Sequence, residues 1–323
     1  MGIKISYMNA IRDGIAEEMR RDPRIIILGE GIGERGGSYG HTKNLWQEFG
    51  KERVIDVPIS ENGWVGMGVG AAVSGLRPIL DLMFADILFE IMSPLAHQAG
   101  KLCYMSNGQF SVPLVIRSQM GARTTGPHHS GAYYPILMHI PGIKIAVPSD
   151  AYTAKGLIKT AIRDDNPVLF CEDKFFFNKK MEIPEGEYTI SFGQASIVRE
   201  GQELTIIAIG TMLHKVLETL DSGNISVEAE VIDPRTLLPL DMETIISSVQ
   251  KTGRILIVEE AHLTCNAGAE IIAQICTQNP CILKKADRVS TLDIPHPFSP
   301  ILEREMVPGT ERIRKSIVNL MKD

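Results

Sequence analysis

Five short apolar runs, Arg24 to Leu28, Val54 to Val57, Pro78 to Leu82, Val112 to Arg117 and Lys144 to Val147, alternate with helical patterns through the first half of the chain. Runs that are apolar on consecutive residues, not every second one, suit strands buried on both faces. Parallel strands of that kind need a crossover between each pair, normally a helix. The pattern therefore predicts an α/β fold with a doubly wound parallel sheet, entered through a helix from Tyr7 to Arg20. Asn178 to Ser191, with Lys179, Lys180, Pro184 and Gly186, breaks the rhythm and reads as an ordered surface linker. A second series follows, with strands at Leu204 to Gly210, Ser226 to Ile232, Arg254 to Glu259 and around Val289. Its helices run from Leu213 to Leu220, Asp241 to Lys251 and Asn266 to Gln278. At 323 residues two α/β domains are expected, 1–180 and 196–323, joined by a linker at 181–195.

The formal charge of -6, with lysines and arginines scattered, argues against nucleic acid or an anionic membrane as partner. The five cysteines, Cys103, Cys171, Cys265, Cys276 and Cys281, show no two-residue metal or redox spacing and fit reduced thiols. The opening helical pattern lacks leader character and no apolar run spans a bilayer, so a cytoplasmic protein is expected.

The most unusual local feature is Val57-Pro58-Ile59-Ser60-Glu61-Asn62-Gly63, a carboxylate at the mouth of a helix rich in glycine, alanine and valine. Gly66, Gly70 and Ser74 recur at four-residue spacing, so a second backbone can approach that face, and the helix is expected to be buried. Two readings of the acid stay open. Ser60 or Glu61 caps the helix, or Glu61 is a desolvated acid held for proton chemistry.

Other segments are weaker signals. Gly31-Ile32-Gly33-Glu34-Arg35-Gly36, with Asp56 downstream, mimics a dinucleotide fingerprint, yet Gly37-Ser38-Tyr39-Gly40 prolongs a loop where a helix must open. A mobile loop is the better reading. Glu30 beside it is a site residue or a structural partner. Thr124-Thr125-Gly126-Pro127-His128-His129-Ser130 is a polar loop whose adjacent histidines diverge, which suits proton transfer better than metal chelation. Ala161 to Pro167 reads as a helix stop, with oxygens that also suit a hard cation. Asp233 to Asp241 and Val258 to His262 lie at carboxyl ends of strands, where open sheets place function, and serve equally well to stabilise a fold.

Taken in order, Ile27-Leu28-Gly29-Glu30, Val57 to Glu61, Gly70-Ala71-Ala72 through Pro78, His129-Ser130, Ala154-Lys155-Gly156-Leu157 through Asn166-Pro167 and Asp233 to Leu237 are the carriers of a resemblance. The chain resembles, over nearly its whole length, the beta chain of the thiamine diphosphate-dependent first component of 2-oxo acid dehydrogenase complexes, a family that includes pyruvate, branched-chain 2-oxo acid and acetoin dehydrogenases. The resemblance implies a pyrimidine-binding domain followed by a smaller transketolase C-terminal-like domain. Glu61 then matches the glutamate that bonds the cofactor's aminopyrimidine, Glu30 and Ile87 line the same site, and His129 assists acyl transfer to a lipoyl carrier. Leu114, Ala161, Ile162, Asp164 and Asn166 match a potassium site of some relatives.

The Gly-Asp-Gly motif that binds magnesium and diphosphate in this superfamily is missing, so the chain holds half a site. The resemblance implies an alpha chain carrying magnesium and diphosphate, a second beta chain in an alpha2-beta2 assembly, and a lipoyl-bearing acyltransferase. Ile87 stands where relatives carry an aromatic residue, Ser93-Pro94 replace an Asp-Gln pair and His97 an asparagine, which alters an interface helix. The Glu172-Asp173-Lys174 and Glu185 to Thr189 segments look most like acetoin dehydrogenase. The competing expectations are the C-terminal half of a split transketolase and a non-catalytic scaffold.

Overall fold

The computed structural model describes residues 2–223 and 225–322. In chain order its strands are β1 (Gly2–Ser6), β2 (Ile25–Gly29), β3 (Val54–Asp56), β4 (Arg77–Asp81), β5 (Val115–Met120), β6 (Lys144–Ala146), β7 (Val168–Asp173), β8 (Lys180–Pro184), β9 (Ser196–Arg199), β10 (Leu204–Ala208), β11 (Ala229–Asp233), β12 (Thr236–Leu238), β13 (Arg254–His262) and β14 (Lys285–Thr291). The larger sheet runs β12-β6-β7-β5-β4-β2-β3 and the smaller β14-β13-β10-β11-β9. Both are parallel except at one edge, where β12 and β9 run antiparallel to their neighbours.

The apolar runs do what their pattern predicts. Ile25 and Ile27 meet the Tyr7–Arg21 and Ala151–Arg163 helices through Ile11, Ile15, Leu157 and Ile158. Leu28 and Leu80, on the opposite face, belong to a core that continues without interruption into Ile207 and Ile257 of the second sheet and Ile271 of the Ala267–Gln278 helix.

Three features differ from the expectation. The linker contains β8, which pairs antiparallel with β1, because Ile3, Ile5, Met181 and Ile183 supply two short alternating edges. β12 comes from the sequence of the second domain but joins the first domain's sheet, its Thr236 opposite Ala146. The Glu61–Val73 helix is buried on one side only. Trp64, Val65, Val69 and Ala72 pack on the sheet, whereas Met67, Gly70 and Ser74 are exposed and Gly66 is half-buried. Its tightest contact is Gly68, where a Cβ would lie 2.7 Å from a methyl of Leu80.

Ser93–Ala99 winds as a π-helix against this helix, with Gly100 N–H bonding Leu95 O. Pro94 at its start has no N–H to give to a regular turn.

Candidate active site

Strands β2, β4, β5 and β7 are parallel, so the segments that follow them emerge at one edge, the crevice side of an open sheet. Glu30 leaves β2, the Ala85–Phe89 turn leaves β4, the 121–131 loop leaves β5 and Lys174 leaves β7. The Glu61–Val73 helix begins at the same edge.

Ser60 makes no side-chain cap, which removes Ser60 from the capping reading and leaves Glu61 as the acid of the first turn. Glu61 is half-buried at the first helical position. Glu30 lies near enough for the Glu61 carboxylate to act on it: burial raises the Glu30 pKa above the usual carboxylate range and the charge of Glu61 adds to the rise. The Trp64 indole opposes this in part, without reaching hydrogen-bond geometry. Glu30 Oε1 and Trp64 Nε1 are both buried without a hydrogen-bond partner. Paired orphans of this kind, in a mouth lined by carboxylates, suit a ligand carrying both a donor and an acceptor.

The Ala85–Phe89 turn joins this corner to the histidine loop. At one end Asn62 Nδ2 donates to Glu90 O at 3.1 Å. At the other, Phe84 meets the His129 ring edge-on at 4.5 Å and Gly131 N donates to Asp86 Oδ2 at 3.4 Å. Ile87 is half-buried between them. His128 and His129 are both exposed, and the His129 carbonyl accepts from Thr125 Oγ1 at 2.8 Å and from Lys174 Nζ.

Leu114, Ala161, Ile162, Asp164 and Asn166 gather at the opposite edge, before β5 and β7. Leu114 O accepts from Val168 N, and Ala161 O from Asp164 N. The Arg77 guanidinium donates to Ile162 O at 2.8 Å and to Asp164 O at 2.6 Å, and Lys144 pairs with the Asp164 carboxylate at 2.6 Å. Each carbonyl keeps a second lone pair.

The glycine loop is pinned, contrary to expectation. Asp56 accepts from Gly31 N and Gly33 N at 2.7 and 3.3 Å, and His41, fully buried, meets Asp81 at 2.8 Å. Helix begins only at Leu45, as rejection of a dinucleotide site requires.

Sequence reasoning gave no role to Lys174, Phe84 or Glu303 and left Glu260 undecided. Glu260 Oε1 accepts from Ala122 N at 2.6 Å and Glu303 from Thr124 N at 2.8 Å, so the second domain holds the histidine loop. The charged end of Val258 to His262 was the legible signal; Glu303 had none. Asp233 bonds Ser149 Oγ at 2.6 Å and Asp241 caps the helix that follows, both structural duties.

The pyrimidine-binding domain family of transketolase matches residues 3–177, and the transketolase C-terminal domain family residues 193–313. The beta subunit of acetoin:2,6-dichlorophenolindophenol oxidoreductase from Cupriavidus necator is 41% identical across 100% of this chain and 99% of its own. The chain belongs to the beta-subunit family of thiamine diphosphate-dependent 2-oxo acid and acetoin dehydrogenases. Further members are the pyruvate dehydrogenase E1 component subunit beta of Porphyra purpurea, 41% identical over 98% of this chain and 97% of that one, and the 2-oxoisovalerate dehydrogenase subunit beta of Bacillus subtilis, 37% identical over 98% of each. A split-gene transketolase, solved as an inactive beta4 tetramer, superposes with a TM-score of 0.79 at 20% identity over 98% of both chains, which carries the fold alone. Membership of this beta-subunit family implies dependence on thiamine diphosphate. No helix among the described residues is long and apolar enough to cross a membrane.

Proposed function

We propose that this chain is the beta subunit of an acetoin or pyruvate-type 2-oxo acid dehydrogenase, a cytoplasmic enzyme that cleaves the substrate carbon-carbon bond and passes the acyl group to a lipoyl-bearing acyltransferase. The observation that carries the reading is the corner of Glu30, Glu61 and Trp64, with two buried polar atoms unpaired beside a bare glycine face. Thiamine diphosphate fits there by its donor and acceptor ring atoms, and when bound it supplies the electron sink for the cleavage. Glu61 would hold a ring nitrogen of the aminopyrimidine and Glu30 would line the same site, while Ile87 would press an aliphatic side chain on the ring. His129, exposed at the lip, would give or take the proton during acyl transfer.

An alpha chain is assigned magnesium and the diphosphate, in an alpha2-beta2 assembly with a second beta chain. Exposed Ile59 (84%) and Met67 beside Gly66 and Gly70 support such a partner, since they leave an apolar face open next to the half-built site. Leu114, Ala161, Ile162, Asp164 and Asn166 are assigned a potassium ion, held by the oxygen lone pairs that Arg77 and Lys144 leave free.

Co-expression with the alpha chain, followed by dichlorophenolindophenol reduction with acetoin, pyruvate and branched 2-oxo acids, tests the reading. Turnover of one substrate names the enzyme. A stable, cofactor-loaded complex inert with all of them overturns it, and turnover of ketose phosphates would favour the split transketolase.

A further inference from the structure

Lys174 is fully buried immediately after β7, although an ammonium without compensation is among the costliest groups to desolvate. Its charge is balanced by nearby carboxylates, and its hydrogen bonds go to the histidine loop. Nζ donates to His129 O, lies 3.4 Å from Thr125 Oγ1 and sits 5.1 Å over the Phe84 ring, the same ring that meets His129 edge-on. The loop is also attached by the Arg123 guanidinium, which donates to Lys174 O at 2.8 Å and so survives a change of the Lys174 side chain, and by backbone N–H groups given to carboxylates from three separate elements: Ala122 to Glu260 of β13, Thr124 to Glu303 of the Pro300–Met306 helix and Gly131 to Asp86 of the turn after β4. Lys174 attaches the one carbonyl, that of His129 itself, and its charge stands among the acids that hold the rest.

We propose that Lys174 is a positioning residue for His129, fixing the backbone at that residue so that the exposed imidazole is presented at the lip in one place. The proposal rests on the role given to His129 above. It explains why the ring needs no hydrogen bond of its own. The nitrogen that exchanges a proton has to stay free, and here the order is imposed through the main chain and through Phe84.

The groups facing Lys174 are Asp86, Asp173, Glu260 and Glu303, with His129, His296 and Arg123 nearby. Burial lowers the Lys174 pKa to about 8 against the pull of those four carboxylates. Its charge is therefore largely present at neutral pH and lost as pH rises through about 8.

The experiment uses Lys174→Met and Lys174→Arg in the chain co-expressed with its alpha partner and loaded with thiamine diphosphate and magnesium. Lys174→Met is expected to slow acyl transfer to a lipoyl domain about 10- to 100-fold, the scale on which misplacement of a reacting group acts, and to slow dye reduction much less. Hydrogen exchange of backbone amides 122–131 rises in the variant while β5 stays protected. Lys174→Arg, which does not titrate in this range, restores part of the transfer and moves the alkaline limb of its pH profile upward. Equal loss of dye reduction and transfer, or unchanged exchange in 122–131, overturns the proposal. His129→Ala, run alongside, separates the two ideas. If it leaves transfer intact, the role of His129 falls, and the exchange result alone then decides whether Lys174 fixes the loop.

Discussion

Gly68 stands against Leu80 so closely that a single added methyl would lie 2.7 Å from its Cδ2. Two turns of the same helix thus differ in kind, because Gly66 and Gly70 would meet nothing within 4 Å. Gly68→Ala is expected to destabilise the isolated chain by about 1–2 kcal/mol, overpacking outweighing the gain in helix propensity. Gly70→Ala is expected to stabilise it by about 0.5–1 kcal/mol, and Gly70→Leu to weaken assembly with the alpha chain. Urea unfolding and size-exclusion of the mixed subunits read the two effects separately. Assembly unaffected by Gly70→Leu would remove this face from the interface.

Glu61→Gln keeps the shape of the corner and removes its carboxylate. Turnover should fall by at least about 100-fold, the usual worth of a positioned acid or base, with cofactor binding largely retained because the proposed alpha chain would hold the diphosphate. Steady-state kinetics with a cofactor titration checks both halves. Activity within a few-fold of wild type would leave Glu61 as an ordinary first-turn acid.

Asp233 is fully buried, and burial raises its pKa to about 6 in spite of the Ser149 hydroxyl. The folded state therefore keeps a proton that the unfolded chain releases near pH 4. Its contribution is complete below that point and is lost as pH rises through about 6. Asp233→Asn imitates the protonated form, since its amide can donate to Ser149 Oγ. The variant should gain on wild type in urea midpoint between pH 4.5 and 7, and parallel curves would contradict the shift.

Potassium at the turn before β7 predicts a salt-specific stabilisation. KCl should raise the melting temperature above that in equal NaCl and do so with saturation, as binding to the native state alone requires. Identical curves in the two salts would mean that Arg77 and Lys144 already complete the turn.

The sheet was legible because burial on both faces writes itself as continuous apolar runs, Ile25 to Leu28 being the clearest. β1, β8 and β12 were not, since two or three side chains at a sheet edge carry no period long enough to read. Within the site, Glu30, Glu61 and His129 could be picked out by type and neighbourhood. Lys174 and Glu303 could not, because both act on backbone groups far away in sequence, and a main-chain amide leaves no trace in the letters around it. The exposed side of the Glu61–Val73 helix was not legible either, because its glycines, alanines and valines read alike on both faces.

β12 gives the polypeptide a stitch. After β11 the chain passes back into the first sheet at Thr236–Leu238 before returning to build the rest of the second. A protease cut in the exposed 185–187 stretch would therefore leave two fragments that migrate together on a native gel, and the two domains cannot swing apart as jaws. In the proposed enzyme, substrate and lipoyl arm would then reach the lip by way of loops and subunit seams.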